Sequence, residues 1–291
     1  MENCFAMENA SAGDTEPLDE RSRHLRRLVL RSLQSARKGH VGPSFSLIEI
    51  LRCLYDSFVR HDPKTPDRAD RDRVILSKGH GCLALYAVLA DRGYFPPSQL
   101  EQFCARHSPL GGHPERAISM GIEATTGALG HGLPIAAGVA LAHKRRADGV
   151  RIFVIVGDGE LNEGSNWEAM LLASKYQLNN LVLVVDRNGQ QCYGNTETVM
   201  PLGPLTEKIQ AFGFCATEAD GHSLASLHRA FERATRNGTT TPQAVICRTV
   251  KGKGLRVAEH DPAWHYRHEI DEHDVRSIQA DLGETSTFRG A

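Results

Sequence analysis

VIVGDGELNEGSNWEAMLLASKYQLNNLVLVVDRN, running from Val154 to Asn188, opens on a β-branched apolar run that stops at Gly157 and turns through Gly157-Asp158-Gly159. It then enters an amphipathic helix and leaves through Leu181 to Val185 as a second apolar strand. Strand, helix and strand in that order predict a crossover between parallel neighbours. Asp158 lies between two glycines, where the backbone can fold tightly against a ligand while the carboxylate points beyond the carboxyl end of the strand. Asn188 follows the second strand, about thirty positions on, and a parallel sheet returns it to the same edge. A carboxylate and an amide oxygen at one edge are hard ligands for Mg2+ or Ca2+, and the N–H groups of Gly157, Gly159 and the helix start suit a diphosphate. A Gly-Asp-Gly turn alone often does no more than join a strand to a helix, so the spacing to Asn188 carries the weight.

The chain has 291 residues, 41% apolar and 24% charged, an ordinary balance for a globular protein with a substantial core. A formal net charge of −1 gives no pull toward nucleic acid or an anionic membrane. Seven cysteines (Cys4, Cys53, Cys82, Cys104, Cys192, Cys215 and Cys247) are scattered without a CxxC pair, which favours reduced thiols over a disulfide framework or a zinc site. Cys82 and Cys192 lie near the motifs but read as small semi-apolar side chains. Residues 1–20 are acidic and lack an apolar signal core, so they read as a disordered tail. No eighteen-residue apolar run occurs, and a cytoplasmic protein without a membrane span is expected.

Toward the amino terminus, Arg21 to Lys38 reads as a helix with Leu25, Leu28, Val29 and Leu33 on one face and Arg23, Arg26, Arg27 and Arg31 on a solvated one. The loop Gly39-His40-Val41-Gly42-Pro43 precedes a helix over Ser46 to Val59. A short strand, Val74 to Leu76, opens into Ser77-Lys78-Gly79-His80-Gly81 and a helix from Cys82 to Asp91. Gly111 to Glu115 carries His113, and the Gly-rich loop Gly121 to Gly132 carries His131. A helix follows from Pro134 to about Ala147, whose Ala136, Ala137, Gly138 and Ala140 are small enough for close packing. Downstream, strands over Phe212 to Ala219 and Ala244 to Val250 flank a helix from Leu224 to Arg236, with Gly221-His222 a structural turn. Lys251-Gly252-Lys253-Gly254 begins a loop to Trp264-His265, in which a lysine either touches phosphate or stays loose at the surface. A short helix and frayed end from Arg276 leave one domain, 21–275, between tails 1–20 and 276–291. Alternating strands and helices predict an α/β fold, a doubly wound and mostly parallel sheet with helices on both faces and its ligand at the strands' carboxyl ends. No GxGxxG follows a strand and no GxxxxGK[ST] occurs, so nicotinamide and P-loop nucleotide chemistry are unsupported.

In order, the blocks GHVGPSFSLIEIL, LSKGHGCLALYAVLADRGYF, GGHPE, GIEATTGALGHG, VGDGELNEGSNWEA, VVDRNGQQ, KGKG and WH resemble the N-terminal half of transketolase, over roughly Arg21 to Tyr266. They are similar in particular to the separate N-terminal subunit of two-gene transketolases. The resemblance implies thiamine diphosphate as cofactor, with a metal bound by the side chains of Asp158 and Asn188 and the backbone carbonyl of Gln190. It places Gly127, Leu129, Gly130, Gly157, Gly159 and Glu160 along the cofactor, His80 and His265 near its diphosphate and reactive ring, and His40 and His113 in the reaction channel. Those four histidines are the catalytic candidates, Glu163 belongs to a subunit contact, and His131 stands where many full-length members have glutamine. The implied reaction moves a two-carbon ketol unit from a ketose to an aldehyde, for which neutral imidazoles suit the proton transfers. In the family a second domain supplies the glutamate and aromatic pocket for the cofactor's pyrimidine. Since the chain stops at Ala291, a separate pyrimidine-binding subunit is expected, in an α2β2 assembly, and this half alone should be inactive. Other readings are transfer to an unusual acceptor in a specialised pathway, a 2-oxoacid decarboxylase-like subunit, and a non-catalytic binding protein of the same fold.

Overall fold

The computed structural model describes residues 17–284, so the expected tails at 1–16 and 285–291 lie outside the described residues. Five strands, β1 (Arg73–Leu76), β2 (Ile152–Gly157), β3 (Leu181–Arg187), β4 (Cys215–Asp220) and β5 (Gln243–Arg248), form one sheet in the order β1-β2-β3-β5-β4. Every pairing among them is parallel. β2 and β3 are neighbours from Ile152↔Leu181 to Gly157↔Asp186, which closes the crossover and sets Asp158 beside the end of β3.

The helices are α1 (Glu20–Ala36), α2 (Gly42–Phe45), α3 (Ile48–Cys53), α4 (Cys82–Asp91), α5 (Gly132–Arg146), α6 (Gly164–Lys175), α7 (Thr196–Val199), α8 (Leu205–Ala211), α9 (Leu224–Ala234) and α10 (Glu272–Asp281). Because both faces of a parallel sheet are covered, the central strands are apolar along their length and send alternate side chains into two cores, while the edge strand β4 is half-buried and carries Thr217, Glu218 and Asp220. Phe153, Ile155, Val182, Val184, Val245 and Cys247 pack with α1, α3, α4 and α9. Ile152, Val154, Val156, Leu181, Leu183 and Val185 pack with α5, α6 and α8. Each such side chain, fully buried, contributes roughly 1.5–3 kcal/mol.

Several boundaries differ from the expected ones for local reasons. α1 starts inside the expected tail because the Asp19 carboxylate caps it, accepting from the Ser22 N–H at 2.8 Å. Arg26 is not on a solvated face: it is fully buried and ion-paired with Glu49. The helix expected over Ser46 to Val59 begins earlier, with Pro43 in the first turn of α2, and ends in a π turn over Leu54–Phe58. Phe212 caps α8, an element the sequence did not announce, so β4 starts only at Cys215. A reciprocal cap between Asp271 and Asp274 starts α10 before Arg276, and Val275, Ile278 and Leu282 are buried, so the packed body runs past 275. α5 turns Ala136, Ala137 and Ala140 inward, as their size suggested, but leaves Gly138 exposed on the other side. Among the described residues no helix is long and apolar enough to cross a membrane.

Candidate functional site

The carboxyl ends of β1, β2, β3 and β5 meet at one edge, and the site is built there. After β2 the chain drops into a 3-10 turn over Gly159–Asn162, which leaves Asp158 buried and facing the turn after β3. Its Oδ1 accepts from the N–H of Gly159 at 2.8 Å and its Oδ2 from the N–H of Gly189 at 2.7 Å. Gly189 lies between Asn188 and Gln190, so its bond to Asp158 sets all three expected metal ligands beside one another, two on the turn after β3 and one at the end of β2. Asn188 Oδ1 accepts from the Gln190 N–H at 3.1 Å, and its Nδ2 donates to Asp186 Oδ2 at 3.3 Å.

Burial, with the charge of Asp186 beside it, pushes the Asp158 carboxyl up to about 6 against the pull of the Gly189 and Gly159 N–H groups. Burial pushes the Asp186 carboxyl up, yet the Lys78 charge and the hydrogen bonds from Lys78, Thr249 and Ser46 together hold it below the usual value. Lys78 is ion-paired to it, and the hydroxyls of Ser46, at 2.7 Å, and of Thr249 also donate to it. Lys78 pairs with Asp186, while the Asp158 carboxylate is met by the N–H groups of Gly159 and Gly189. Hard oxygens so placed fit a divalent cation.

Glu160 ties the neighbouring loop to this turn. Its Oε1 accepts from Ser77 Oγ and, at 2.9 Å, from the N–H of Gly130, while its Oε2 accepts from the N–H of Gly157 at 3.1 Å. The carboxylate therefore shapes the cradle and is engaged with the protein itself. Gly130 has φ +81°, and a Cβ there would lie 2.6 Å from Cβ of Glu163, so only glycine passes at this point. Gly127 lies beside the His113 ring, and the Leu129 carbonyl takes Nδ1 of the exposed His131 at 3.0 Å.

Four separate segments bring the histidines together. The His40 ring centroid is 5.5 Å from those of His80, His113 and His265, and His80 stacks on His265 at 5.3 Å. Backbone bonds between Gly39 and Arg267 fasten the first loop to the last, and the Tyr86 hydroxyl donates to the carbonyls of Gly111 and His113. Burial, then the charges of His113, Lys251 and Lys78, lowers His40 to about 4. Burial and Lys251 lower His265 to about 3, and burial with Lys78 holds His80 well below the usual imidazole range. These three rings are neutral near pH 7, the state in which an imidazole takes up a proton.

Lys251 is not a loose surface lysine. It is 3% exposed, and its Nζ donates to the carbonyls of Gln190 and Gln191 at 3.1 and 3.3 Å and to Nδ1 of His265 at 2.8 Å. That bond leaves the His265 proton on Nε2. Among the described residues no carboxylate pairs with Lys251, and burial, then Lys78, lowers its pKa to about 8. A buried ammonium that no carboxylate contacts directly among the described residues, Asp158 and Asp186 acting on it from a distance, fits an anion such as a diphosphate at the edge where Gly157 and Gly159 turn. A diphosphate there would offset the lysine charges and raise the lowered imidazoles. Lys78, Asp186 and Lys251 are buried charges at this edge that the sequence alone left unassigned; the position of Lys78 and Lys251 just past apolar strand ends was the available signal.

A family model described as "Transketolase, thiamine diphosphate binding domain" matches residues 19–289. An apulose-4-phosphate transketolase subunit from Actinobacillus succinogenes is 40% identical, over 87% of this chain and 91% of that protein. A 6-deoxy-6-sulfo-D-fructose transketolase subunit from a Clostridium species is 38% identical, over 85% of this chain and 90% of that protein. The solved transketolase from Leishmania mexicana is similar at a TM-score of 0.83 and 28% identity, over 91% of this chain but 41% of that one.

Proposed function

The chain belongs to the thiamine diphosphate-binding domain family of transketolase, as a transferase subunit of the two-chain kind, and from that premise we propose how its residues divide the work. Asp158, Asn188 and the Gln190 carbonyl hold a divalent ion, Mg2+ or alternatively Ca2+, that anchors the diphosphate of the cofactor. That carbonyl also accepts from Lys251, and its second lone pair serves the metal. Lys251 and the Gly157, Gly159, Leu129 and Gly130 backbone surround the phosphates, with Glu160 fixing that backbone and Gly127 set against His113. Thiamine diphosphate, when bound, supplies the carbon nucleophile that opens the ketose carbon-carbon bond and carries the two-carbon unit. The protein's part is to orient, exclude water and move protons: His80 and His265 at the cofactor side, His40 and His113 toward the sugar hydroxyls.

The observation that carries this reading is the convergence of four imidazoles beside the turn that joins Asp158 to Gly189. Pyrimidine binding and the activating glutamate come from a separate partner subunit, in an α2β2 complex with Glu163 at the contact. Relatives of this length named as subunits support that arrangement, as do exposed apolar side chains at Leu171, Tyr193 and Met200 on segments flanking the site. A cytoplasmic location agrees with Cys53, Cys82, Cys104, Cys192 and Cys247 carrying no disulfide.

Copurification with the partner, then a donor and acceptor screen with thiamine diphosphate and Mg2+, tests the proposal. The donors include apulose 4-phosphate and 6-deoxy-6-sulfo-D-fructose, because relatives are named for them. Ketol transfer that needs both chains and the cofactor is expected. Activity confined to pyruvate with a lipoyl acceptor, or a complex that binds no thiamine diphosphate, would overturn it.

A further inference from the structure

Arg26, Glu49 and His222 are buried together and take no part in the chemistry proposed above. The Arg26 guanidinium grips Glu49 with both ends, Nη1 to Oε1 at 2.5 Å and Nη2 to Oε2 at 3.0 Å. Its Nε donates to the carbonyl of Lys253 at 2.9 Å. Burial alone would raise the Glu49 carboxyl, but Arg26 and then His222 outweigh it and hold it well below the usual range, so Glu49 is an ionised acceptor. The His222 ring nitrogen Nδ1 stands 2.9 Å from Oε2 of Glu49 and must donate to it. Nε2 is then left with a lone pair, and it accepts the N–H of Val250 at 2.8 Å.

The two ends of this network bracket Lys251. The Val250 N–H lies just before it in the chain and the Lys253 carbonyl just after, and between them the Gly252 N–H donates to the Gly42 carbonyl at 3.1 Å. The loop is pressed against the network as well: Gly254 has φ +91°, and a Cβ there would lie 3.2 Å from Nε of Arg26. A buried ion pair gains little over apolar side chains of the same volume. What polar groups supply here, and apolar ones cannot, is direction: two hydrogen bonds fixed at chosen points of one short loop.

We propose that Arg26, Glu49 and His222 are positioning residues that clamp the 250–253 loop, so that the Lys251 ammonium is held against the Gln190 carbonyl and His265, where an anionic diphosphate group binds. What Lys251 binds rests on the proposed function; the clamp itself does not.

Two substitutions separate its bonds in the full chain. His222→Asn keeps a donor where Nδ1 was and leaves the Val250 N–H without a partner. His222→Gln keeps an acceptor where Nε2 was. Amide hydrogen exchange without cofactor should quicken about tenfold or more across 249–255 in His222→Asn, stay near the unsubstituted rate in His222→Gln, and leave β2 and β3 protected in both. The dissociation constant for inorganic pyrophosphate, by calorimetry, should rise about tenfold or more in His222→Asn, and the same change should add nothing in a Lys251→Ala background. Equal exchange in the two variants, protection lost across the whole sheet, failure of either to fold, or additive losses with Lys251→Ala would each overturn the clamp. If the exchange pattern holds but the unsubstituted chain binds no pyrophosphate, the clamp stands and the diphosphate assignment of Lys251 falls.

Discussion

Asp158 is costly to keep where it is. A carboxyl raised to about 6 from an ordinary 3.8 makes the folded state bind its proton more tightly than the unfolded chain does. The cost is absent below the unfolded value and complete above the folded one, about 3 kcal/mol at neutral pH without a cation. Asp158→Asn should therefore raise the metal-free melting temperature by about 3 °C or more at pH 7 while lowering Mg2+-dependent cofactor affinity at least ~100-fold. A melt with calorimetry on the same sample checks both. The imidazoles run the other way. His40, lowered from 6.5 to about 4, costs nothing above its unfolded value, and its penalty, at most about 3 kcal/mol, is complete only below the folded one. His80 and His265 shift in the same direction, so the histidines outweigh Asp158. Stability should fall between pH 6.5 and 4, a slope that His40→Asn flattens and Asp158→Asn steepens, as read from denaturant melts at several pH values.

Glu160 joins the cradle's elements: the end of β1 through Ser77, the Gly-rich loop through Gly130 and the end of β2 through Gly157. Glu160→Ala strands two backbone donors and a hydroxyl, at a cost of about 2–4 kcal/mol. A melting temperature lowered by roughly 5–15 °C is the outcome expected from thermal unfolding, and Glu160→Gln, with one acceptor left, should lose less. The sheet was legible in the sequence because β2 and β3 are short apolar runs bounded by turn residues, and their spacing alone carries Asp158 to Asn188. Helix breaks were less so: the π turn after α3 packs Phe58 against His228 and Phe231 of α9, and in α2 the Ser44 hydroxyl donates back to the His40 carbonyl, contacts that no local pattern records. Whereas His265, between Trp264 and Tyr266, was marked only by the family resemblance, His40, His80 and His113 were visible through their glycine neighbours. Their charges' partners were not, since Lys78 meets Asp186 across 108 positions and Arg26 meets Glu49 from a different helix. An arginine on an amphipathic helix reads as solvated until the helix packed on it is known.

As one body, the molecule gathers four histidine rings beside the turns after β2 and β3, and the proposed reaction asks for a pyrimidine pocket besides. The purified chain should show no ketol transfer above background with thiamine diphosphate and Mg2+, and turnover should appear on adding the partner in equimolar amount. A coupled assay of the aldehyde product, titrated with partner, checks this, and normal turnover by the chain alone would contradict it.

The sheet order has a consequence for how the protein is made. β5 leaves the ribosome after β4, yet it is inserted between β3 and β4. Until Gln243 to Arg248 emerges, the nascent polypeptide carries an open strand edge at β3 and a β4 with no neighbour, a state prone to sticking to other chains. Lys251 follows the end of that same inserting strand, Arg248, almost at once, and His265 comes later in the loop beyond it. Synthesis therefore closes the sheet just before it delivers Lys251 and then His265, after His40, His80, His113, Asp158 and Asn188 have already been made.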